Sequence, residues 1–203
     1  MTPNIHFKDR VIEGERVELP KHAIYWLGPN VTFRNCTVVI SVASRGLVPM
    51  SGRFIDCTIQ AKGELKNVRW APMHFRGCRF KGRFAGNDFG FREDDIDKWK
   101  IGGIEDCDFS EARLDGCRFF NCDMKTIRLP LWPCFTFMDA RRHAAELGRH
   151  EWPGSFDSVI KVVCDAPEGT VASTWHAHTA AENMGTTAEE LRAALEKVPW
   201  VVM

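Results

Sequence analysis

A spacing of 21 residues dominates the first half of the chain. Cysteines recur at this interval as Cys36, Cys57 and Cys78. Phenylalanines keep the same interval three positions ahead of them, and apolar residues keep it two positions behind. These residues are Phe33, Phe54 and Phe75, and Val38, Ile59 and Phe80. A fixed period of this length indicates that one structural unit is repeated and stacked.

A finer repeat of five residues is present between residues 102 and 131. Written in fives, the segment reads GGIED, CDFSE, ARLDG, CRFFN, CDMKT and IRLPL. The third place is always large and apolar, and the first place is small or medium. A helix would need apolar residues three and four apart and a strand two apart, so neither explains the pattern. A chain that turns a corner every five residues, with two side chains per face pointing inward, does explain it.

This pattern resembles the pentapeptide-repeat family, whose repeat reads roughly A-(D/N)-L-x-x. The resemblance extends from about residue 11 to 131, with looser matches in VTFRN-CTVVI (31–40), GRFID-CTIQA (52–61) and MHFRG-CRFKG (73–82). It implies a mainly β fold, a right-handed, four-sided β-helix or pentapeptide-repeat solenoid of about five coils. The early coils depart from the family because they are 21 residues long and their later faces are irregular.

Stacked coils predict two internal columns of large apolar side chains. The first column is Phe33, Phe54, Phe75 and Ile104, and the second is Val38, Ile59, Phe80 and Phe109. One coil cannot bury its apolar face alone, and its neighbours complete the core. Each buried large side chain contributes roughly 1.5–3 kcal/mol.

The composition of the chain bears on its partners and on its cellular compartment. Lys plus Arg and Asp plus Glu each number 27, so the near-zero net charge argues against a nucleic-acid partner. No run of 18 apolar residues is present, and the first ten residues lack an apolar core, so we expect neither a membrane span nor a signal peptide. Six of the eight cysteines occupy inward first places of the repeat: Cys36, Cys57, Cys78, Cys107, Cys117 and Cys122. They are expected to be reduced core thiols in a cytoplasmic protein.

Two regions are predicted. Residues 1–131 form the β-helix with an irregular insertion at 83–100, and 132–203 form a mostly helical C-terminal region that caps the stack or is a small separate domain. The PLWP segment at 130–133 ends the repeat. Residues 139–147 predict a short helix that stops at Gly148, and a capping box at 186–189 precedes a second helix with an apolar face. Residues 155–178 fit either a hairpin or two short helices.

The insertion is the best candidate contact surface because it combines acidic and aromatic residues. Insertions in solenoids lie on the surface, often on the binding face. The candidate binding residues are Asp88, Phe89, Phe91, Glu93, Asp94, Asp95 and Trp99. One alternative is a solvated loop without a partner. Another is a loop that pairs with the neighbouring basic residues Arg76, Arg79, Lys81 and Arg83.

The chain contains no motif for catalysis, for a metal or for a cofactor. It lacks CxxC, HExxH, GxSxG, GxGxxG and a Walker motif. His176 and His178 would point the same way on a strand, but no third ligand follows from their spacing. We therefore predict no catalytic residue, no metal site and no cofactor.

A non-catalytic protein-binding module, such as a bacterial immunity protein or an adaptor, is the function that these observations favour. Its partner would be another protein. A first alternative follows from the resemblance, because some pentapeptide-repeat proteins protect DNA gyrase from inhibitors by mimicking DNA. The arginines on the repeat faces do not suit such a mimic. A second alternative is an enzyme or metal protein whose site lies in residues 132–203.

Overall fold

The computed structural model describes residues 2–97 and 100–203. It is mainly β, with 42% strand and 20% helix, and it forms a β-solenoid of about 4 turns with a few short helices. The strands are β1 (Asn4–Phe7), β2 (Arg10–Glu13), β3 (Arg16–Leu19), β4 (Ile24–Leu27), β5 (Val31–Arg34), β6 (Thr37–Ile40), β7 (Leu47–Pro49), β8 (Gly52–Ile55), β9 (Thr58–Lys66), β10 (Met73–Arg76), β11 (Arg79–Ala85), β12 (Asp88–Phe89), β13 (Gly103–Glu105), β14 (Asp108–Asp115), β15 (Cys117–Phe120), β16 (Cys134–Met138), β17 (Thr170–His176) and β18 (Val201–Val202). The α-helices are α1 (Ala144–Leu147), α2 (Asp157–Cys164), α3 (Ala177–Met184) and α4 (Ala188–Leu195). Short 3-10 helices span Ser44–Gly46, Met124–Thr126 and Ala140–His143.

Three parallel sheets form the sides of the solenoid. Their strand orders are β1-β4-β7, β2-β5-β8-β10-β13 and β3-β6-β9-β11-β14. Each of the two long sheets has five stacked strands. The solenoid has about 4 turns, whereas the repeat predicted about five coils. The first strand begins at Asn4, earlier than residue 11, because β1 pairs with β4 in parallel register.

Both predicted internal columns are confirmed. Phe54 pairs in register with Phe33 on one side and Phe75 on the other, and the ring centroids are 4.8 Å and 5.0 Å apart. In the second column, the rings of Phe80 and Phe109 stack at 4.2 Å. All of these side chains are buried, so the stack of rings is the centre of the solenoid core.

One corner of each coil is made by a residue in the left-handed conformation. These residues join the two five-stranded sheets and have φ between 52° and 69°: Gly14, Asn35, Asp56, Gly77 and Asp106. Glycine, asparagine and aspartate tolerate positive φ better than other residues, which explains why only these types precede the cysteine positions. A residue with positive φ at this corner therefore recurs on each coil, as the inward apolar residues do.

The cysteines that follow these corners are core thiols. Cys57 Sγ donates to the carbonyl oxygen of Phe33 at 3.4 Å, and Cys78 Sγ donates to that of Phe54 at 3.3 Å. A hydrogen bond with the neighbouring Cys107 thiol and burial raise the pKa of Cys78 to about 12. All eight cysteines are free, but Cys122 is half-buried and so is less enclosed than its place in the repeat predicted.

The C-terminal region mixes strands with the expected helices. Strand β17 pairs antiparallel with β15 of the last coil, and β16 and β18 extend the same sheet. The region also has its own apolar core between this sheet and the helices. The region is therefore joined to the last coil through β17 and also has a core of its own.

Local predictions in this region were partly right. The short helix ends at Gly148 as expected. The capping box lies one residue later than predicted, because Thr187 and not Thr186 is the N-cap that pairs with Glu190. Residues 155–178 form neither a hairpin nor two helices. They form helix α2 followed by strand β17, because β15 offers that strand a free edge.

Candidate functional site

The insertion leaves the solenoid over a shorter stretch than the sequence predicted. Residues 83–85 belong to β11 and residues 88–89 to β12, so the five-residue repeat continues through them. Phe84 and Phe89 are both buried in the core of the solenoid. We use the name insertion loop for residues 90–102, which connect β12 to β13.

Asp88 is the centre of an ion-pair network at the base of the insertion loop. Its carboxylate is buried and accepts hydrogen bonds from Arg118 on the next coil, Nε to Oδ1 at 2.8 Å and Nη2 to Oδ2 at 3.1 Å. Arg92, within the loop, forms a second ion pair with Asp88. Both guanidinium groups also lie over the ring of Phe120, at 5.4 Å and 5.6 Å. The network ties the start of the loop to the last coil.

A second acidic residue, Asp95, folds the loop back on itself. Asp95 Oδ2 accepts a hydrogen bond from the backbone N–H of Arg92 at 2.8 Å, and Asp95 also forms an ion pair with Arg69. Asn121 Nδ2 donates to the carbonyl oxygen of Phe91 at 3.0 Å and to Glu93 Oε1 at 3.1 Å. The loop is thus held to the solenoid by side chains of two coils.

Glycines fix both ends of the insertion loop. Gly90 has a φ of +82°, and a Cβ at this position would overlap the carbonyl oxygen of Phe120. A Cβ at Gly102 would overlap the carbonyl oxygen of Ala71. Because the backbone touches the solenoid at both points, only glycine fits there.

This arrangement corrects the predicted set of binding residues. Asp88, Phe89 and Asp95 are buried, so the expectation that they form part of an exposed contact surface is wrong. Their charges or rings are already satisfied within the fold. Phe91 is half-buried and available only in part. Trp99 lies outside the described residues.

The tip of the loop exposes the remaining candidates together with two isoleucines. Glu93 and Asp94 are exposed, and Asp97 is fully exposed. Ile96 and Ile101 are 51% and 53% exposed, which the composition of the loop alone did not single out. The exposed part of the loop therefore combines aliphatic side chains with carboxylates.

Two of the neighbouring basic residues pair with acidic residues of the sheets and not with this loop. Arg76 lies 3.8 Å from Glu105, and Lys81 pairs with Glu111 at 2.9 Å, so both act within the sheets. Beside the loop, Ile101 lines a cleft of about 220 Å³ together with Arg53 and His74 from the outer face of the second sheet. Ile101 is common to the loop and the cleft, and we use the name loop surface for the exposed loop residues together with this cleft.

A second polar region lies where the solenoid meets the C-terminal region. Arg113 Nη2 donates to Thr179 Oγ1 at 2.6 Å, and His176 Nδ1 lies 3.2 Å from the same oxygen. The backbone N–H of His176 donates to Asp115 Oδ1 at 3.2 Å. These bonds join β14 to the start of α3, so this junction fastens the C-terminal region to the stack.

Burial sets the protonation states at this junction. Burial, the Arg113 charge and the neighbouring His178 lower the pKa of His176 to about 4, so the imidazole is neutral near pH 7. Burial raises the pKa of Asp115. A guanidinium can only donate, so the Thr179 hydroxyl is free to donate its proton to His176 Nδ1. The observed bonds pair these groups with one another across the junction.

The two histidines do not share a strand as expected. His176 ends β17 and His178 lies in α3, with ring centroids 5.6 Å apart. The described residues contain no cluster of three or more His, Cys, Asp or Glu that could hold a metal ion. Within the same residues, no helix has the length and apolarity of a membrane span.

The outward faces of the two long sheets carry mixed charge. Positions in one register column are Thr37, Thr58, Arg79 and Asp108, and another column contains Arg34, Ile55, Arg76 and Glu105. A DNA mimic needs a continuous row of negative charge. Neither of these two columns is a continuous row of negative charge. The columns therefore do not support the hypothesis that the protein mimics DNA.

No protein-family model matches the chain, and no curated protein matches it.

Sequence reasoning missed the residues that fix the insertion loop. Arg69 pairs with Asp95 and Arg118 with Asp88, and Asn121 donates to Glu93. The partners in each pair are at least 26 residues apart and meet only because coils stack. A signal was available for one of them. Arg118 occupies an outward place of the repeat, and an outward arginine beside an insertion rich in carboxylates is a natural ion-pair partner.

Proposed function

We propose that this protein is a non-catalytic protein-binding module of the cytoplasm and that the loop surface contacts its partner. The observation that carries the proposal is the contrast within the insertion loop. Its two ends are fixed by buried ion pairs and two close-packed glycines, whereas Ile96 and Ile101 within it are about half exposed. A fixed loop with an apolar tip loses little conformational entropy on binding.

The chemistry of the tip suits a protein interface. Apolar anchors inside a polar rim supply most of the binding energy in such interfaces, and the rim excludes water. The cleft beside Ile101 adds Arg53 and His74, so the partner would meet both negative and positive groups. A bacterial immunity protein or an adaptor is the role we propose for such a module.

We also propose that residues from about 11 to 131 belong to the pentapeptide-repeat family. The support is the five-residue spacing between 102 and 131 and the left-handed corner residue that each coil shares. The free cysteines at inward positions suit the reducing conditions of the cytoplasm.

Affinity purification from the native cytoplasm tests the binding proposal. Tagged wild-type protein is compared with the double variant Ile96→Arg/Ile101→Arg and with Val162→Arg, a control at a valine that is 55% exposed on α2. Each isoleucine buried by a partner contributes roughly 1.5–3 kcal/mol, so the double variant should bind at least about a hundredfold more weakly.

The result expected is one dominant protein that wild type and Val162→Arg retain and that the double variant loses. Equal urea unfolding midpoints for the three proteins show that the loss is local. A partner retained by the double variant contradicts the loop surface, and gyrase as the partner would restore the DNA-mimic alternative. No partner in any sample contradicts the binding module itself.

A further inference from the structure

A groove of about 570 Å³ runs along one side of the solenoid and shares no lining residue with the loop surface. Three successive coils contribute to it through residues 21–24, 40–46 and 63–65. These are the irregular later parts of the early coils, where the five-residue repeat is lost. On the following coils, Leu65 continues in register with Phe84 and Leu114 as regular sheet. The groove therefore exists only where the repeat is broken, and we call it the early-coil groove.

Apolar side chains and a glycine shape the groove. Ile40, Val42 and Leu65, which belong to the solenoid core, contribute to its lining. Gly63 also lines it, and a Cβ built on Gly63 has no heavy atom within 4 Å. The volume lies in the range of small-molecule sites, which combine an apolar lining with a few polar groups.

The charged groups around the groove favour an anion. Lys21 and Arg45 line it, and neither forms an ion pair with another residue in the described ranges 2–97 and 100–203. The loops that carry them are packed on each other, because a Cβ at Gly46 would lie 3.0 Å from the carbonyl oxygen of Ala23. Glu64 is the other charged lining residue, and it forms an ion pair with Lys66 at 2.9 Å. The hydrogen bond from Lys66 holds the pKa of Glu64 below its usual value.

We propose that the early-coil groove binds a small anionic amphiphile, a free carboxylate that carries a short apolar chain. Lys21 and Arg45 bind the carboxylate, and the chain lies on the apolar lining where Ile24 and Ala43 reach the surface. Two unpaired cations beside apolar surface match such a ligand in both charge and polarity. This site is independent of the loop surface, and either proposal can fail without the other.

Decanoate is the probe, used below its micellar concentration and followed by amide chemical shifts of ¹⁵N-labelled protein. The proposal predicts saturable shifts confined to residues 21–24, 40–46 and 63–65. Decyltrimethylammonium has a similar chain with the opposite charge and should cause no saturable shift there. No saturable shift with decanoate, shifts centred elsewhere, or equal binding of the cation would each overturn the proposal.

Matched variants separate charge from shape. Lys21→Gln/Arg45→Gln removes the two cations and should weaken decanoate binding about tenfold. Arg142→Gln/Lys161→Gln makes the same change in charge at exposed positions of the C-terminal region and should leave the affinity unchanged. If the two double variants weaken decanoate binding equally, the binding reflects only general charge attraction, and the proposed site is wrong.

A third variant tests the cavity without removing charge. Gly63→Phe places a ring in the groove, where the backbone φ does not require glycine and space is open. Decanoate shifts should disappear while the urea unfolding midpoint stays close to that of wild type. Unchanged decanoate affinity in this variant would contradict the placement of the ligand in the groove.

Discussion

Asp88 and Arg118 are register partners on neighbouring coils and form a two-bond ion pair, with distances of 2.8 Å and 3.1 Å. The aspartate is the first residue of β12, and the insertion loop begins two residues later, at Gly90. The pair therefore lies between the regular solenoid and the segment that departs from it. It explains how a loop with many carboxylates can have a defined position.

Replacing Asp88 should destabilise the fold by more than the loss of one surface ion pair. Asp88→Asn leaves Arg92 and Arg118 without their carboxylate, and because both arginines are partly exposed we expect a decrease of about 2–3 kcal/mol in the free energy of unfolding. Asp97→Asn, at a fully exposed carboxylate, should change it by less than about 0.5 kcal/mol. Urea denaturation of the two variants measures the difference. Equal unfolding free energies would contradict the role of Asp88.

The left-handed corner at Asn35 gives a prediction about backbone conformation. Asn35 has a φ of 52° and its side chain is exposed, so a substitution there acts mainly through the backbone. Asn35→Ala should lower the free energy of unfolding by about 1 kcal/mol, and Asn35→Gly should leave it within about 0.5 kcal/mol of wild type. Thermal unfolding measures both, and a glycine variant less stable than the alanine variant would contradict the assigned conformation.

The ring column predicts a large effect at Phe54. Phe54 lies between Phe33 and Phe75, and Phe54→Ala removes both ring contacts and leaves a cavity. The expected loss of unfolding free energy is about 3–5 kcal/mol. Arg53→Ala, at the adjacent outward position, should change it by less than about 0.5 kcal/mol. Urea denaturation of both variants measures the loss, and a comparable loss in each would mean that the inward and outward positions are reversed.

Buried His176 makes stability depend on pH. Its pKa is about 4 in the folded protein, against the usual 6.5 of a histidine, so the unfolded chain binds more protons between these pH values. The free energy of unfolding should therefore fall as pH decreases from about 6.5 toward 4, by as much as about 3 kcal/mol. The raised pKa of Asp115 acts in the opposite sense, because the folded state then retains a proton that the unfolded chain releases.

His176→Asn tests this dependence directly. Asparagine does not titrate but can still accept a hydrogen bond from Thr179. Unfolding free energies of the variant and the wild type are measured between pH 4 and 7. The slope should be smaller in the variant, and an unchanged slope would assign the dependence to other groups.

The sequence could predict the solenoid because the same constraint recurs on every coil. Phe33, Phe54 and Phe75 must all point inward, and a spacing of 21 residues is too regular to arise from unrelated elements. The end of the repeat was also visible, because the PLWP segment interrupts it. Position within the repeat thus determined which side chains are buried through most of residues 31–131.

The burial of the insertion residues could not be predicted in the same way. Asp88, Phe89 and Asp95 look like an exposed acidic and aromatic loop, yet stacking brings Arg118 and Arg69 to the two aspartates and buries all three. The secondary structure of residues 155–178 was predicted wrongly for a related reason. The strand at 170–176 exists because β15 offers it an edge, which no local pattern records.

Site-specific photo-crosslinking in cells is the measurement that tests the proposed binding function most directly. A benzoylphenylalanine is placed at position 96 on the loop tip or at position 162 on α2, both more than half exposed in the folded protein. The proposal predicts a crosslinked adduct with one partner protein from position 96 and none from position 162. No adduct from position 96, or the same adduct from both positions, would contradict the claim that the insertion loop is the binding element.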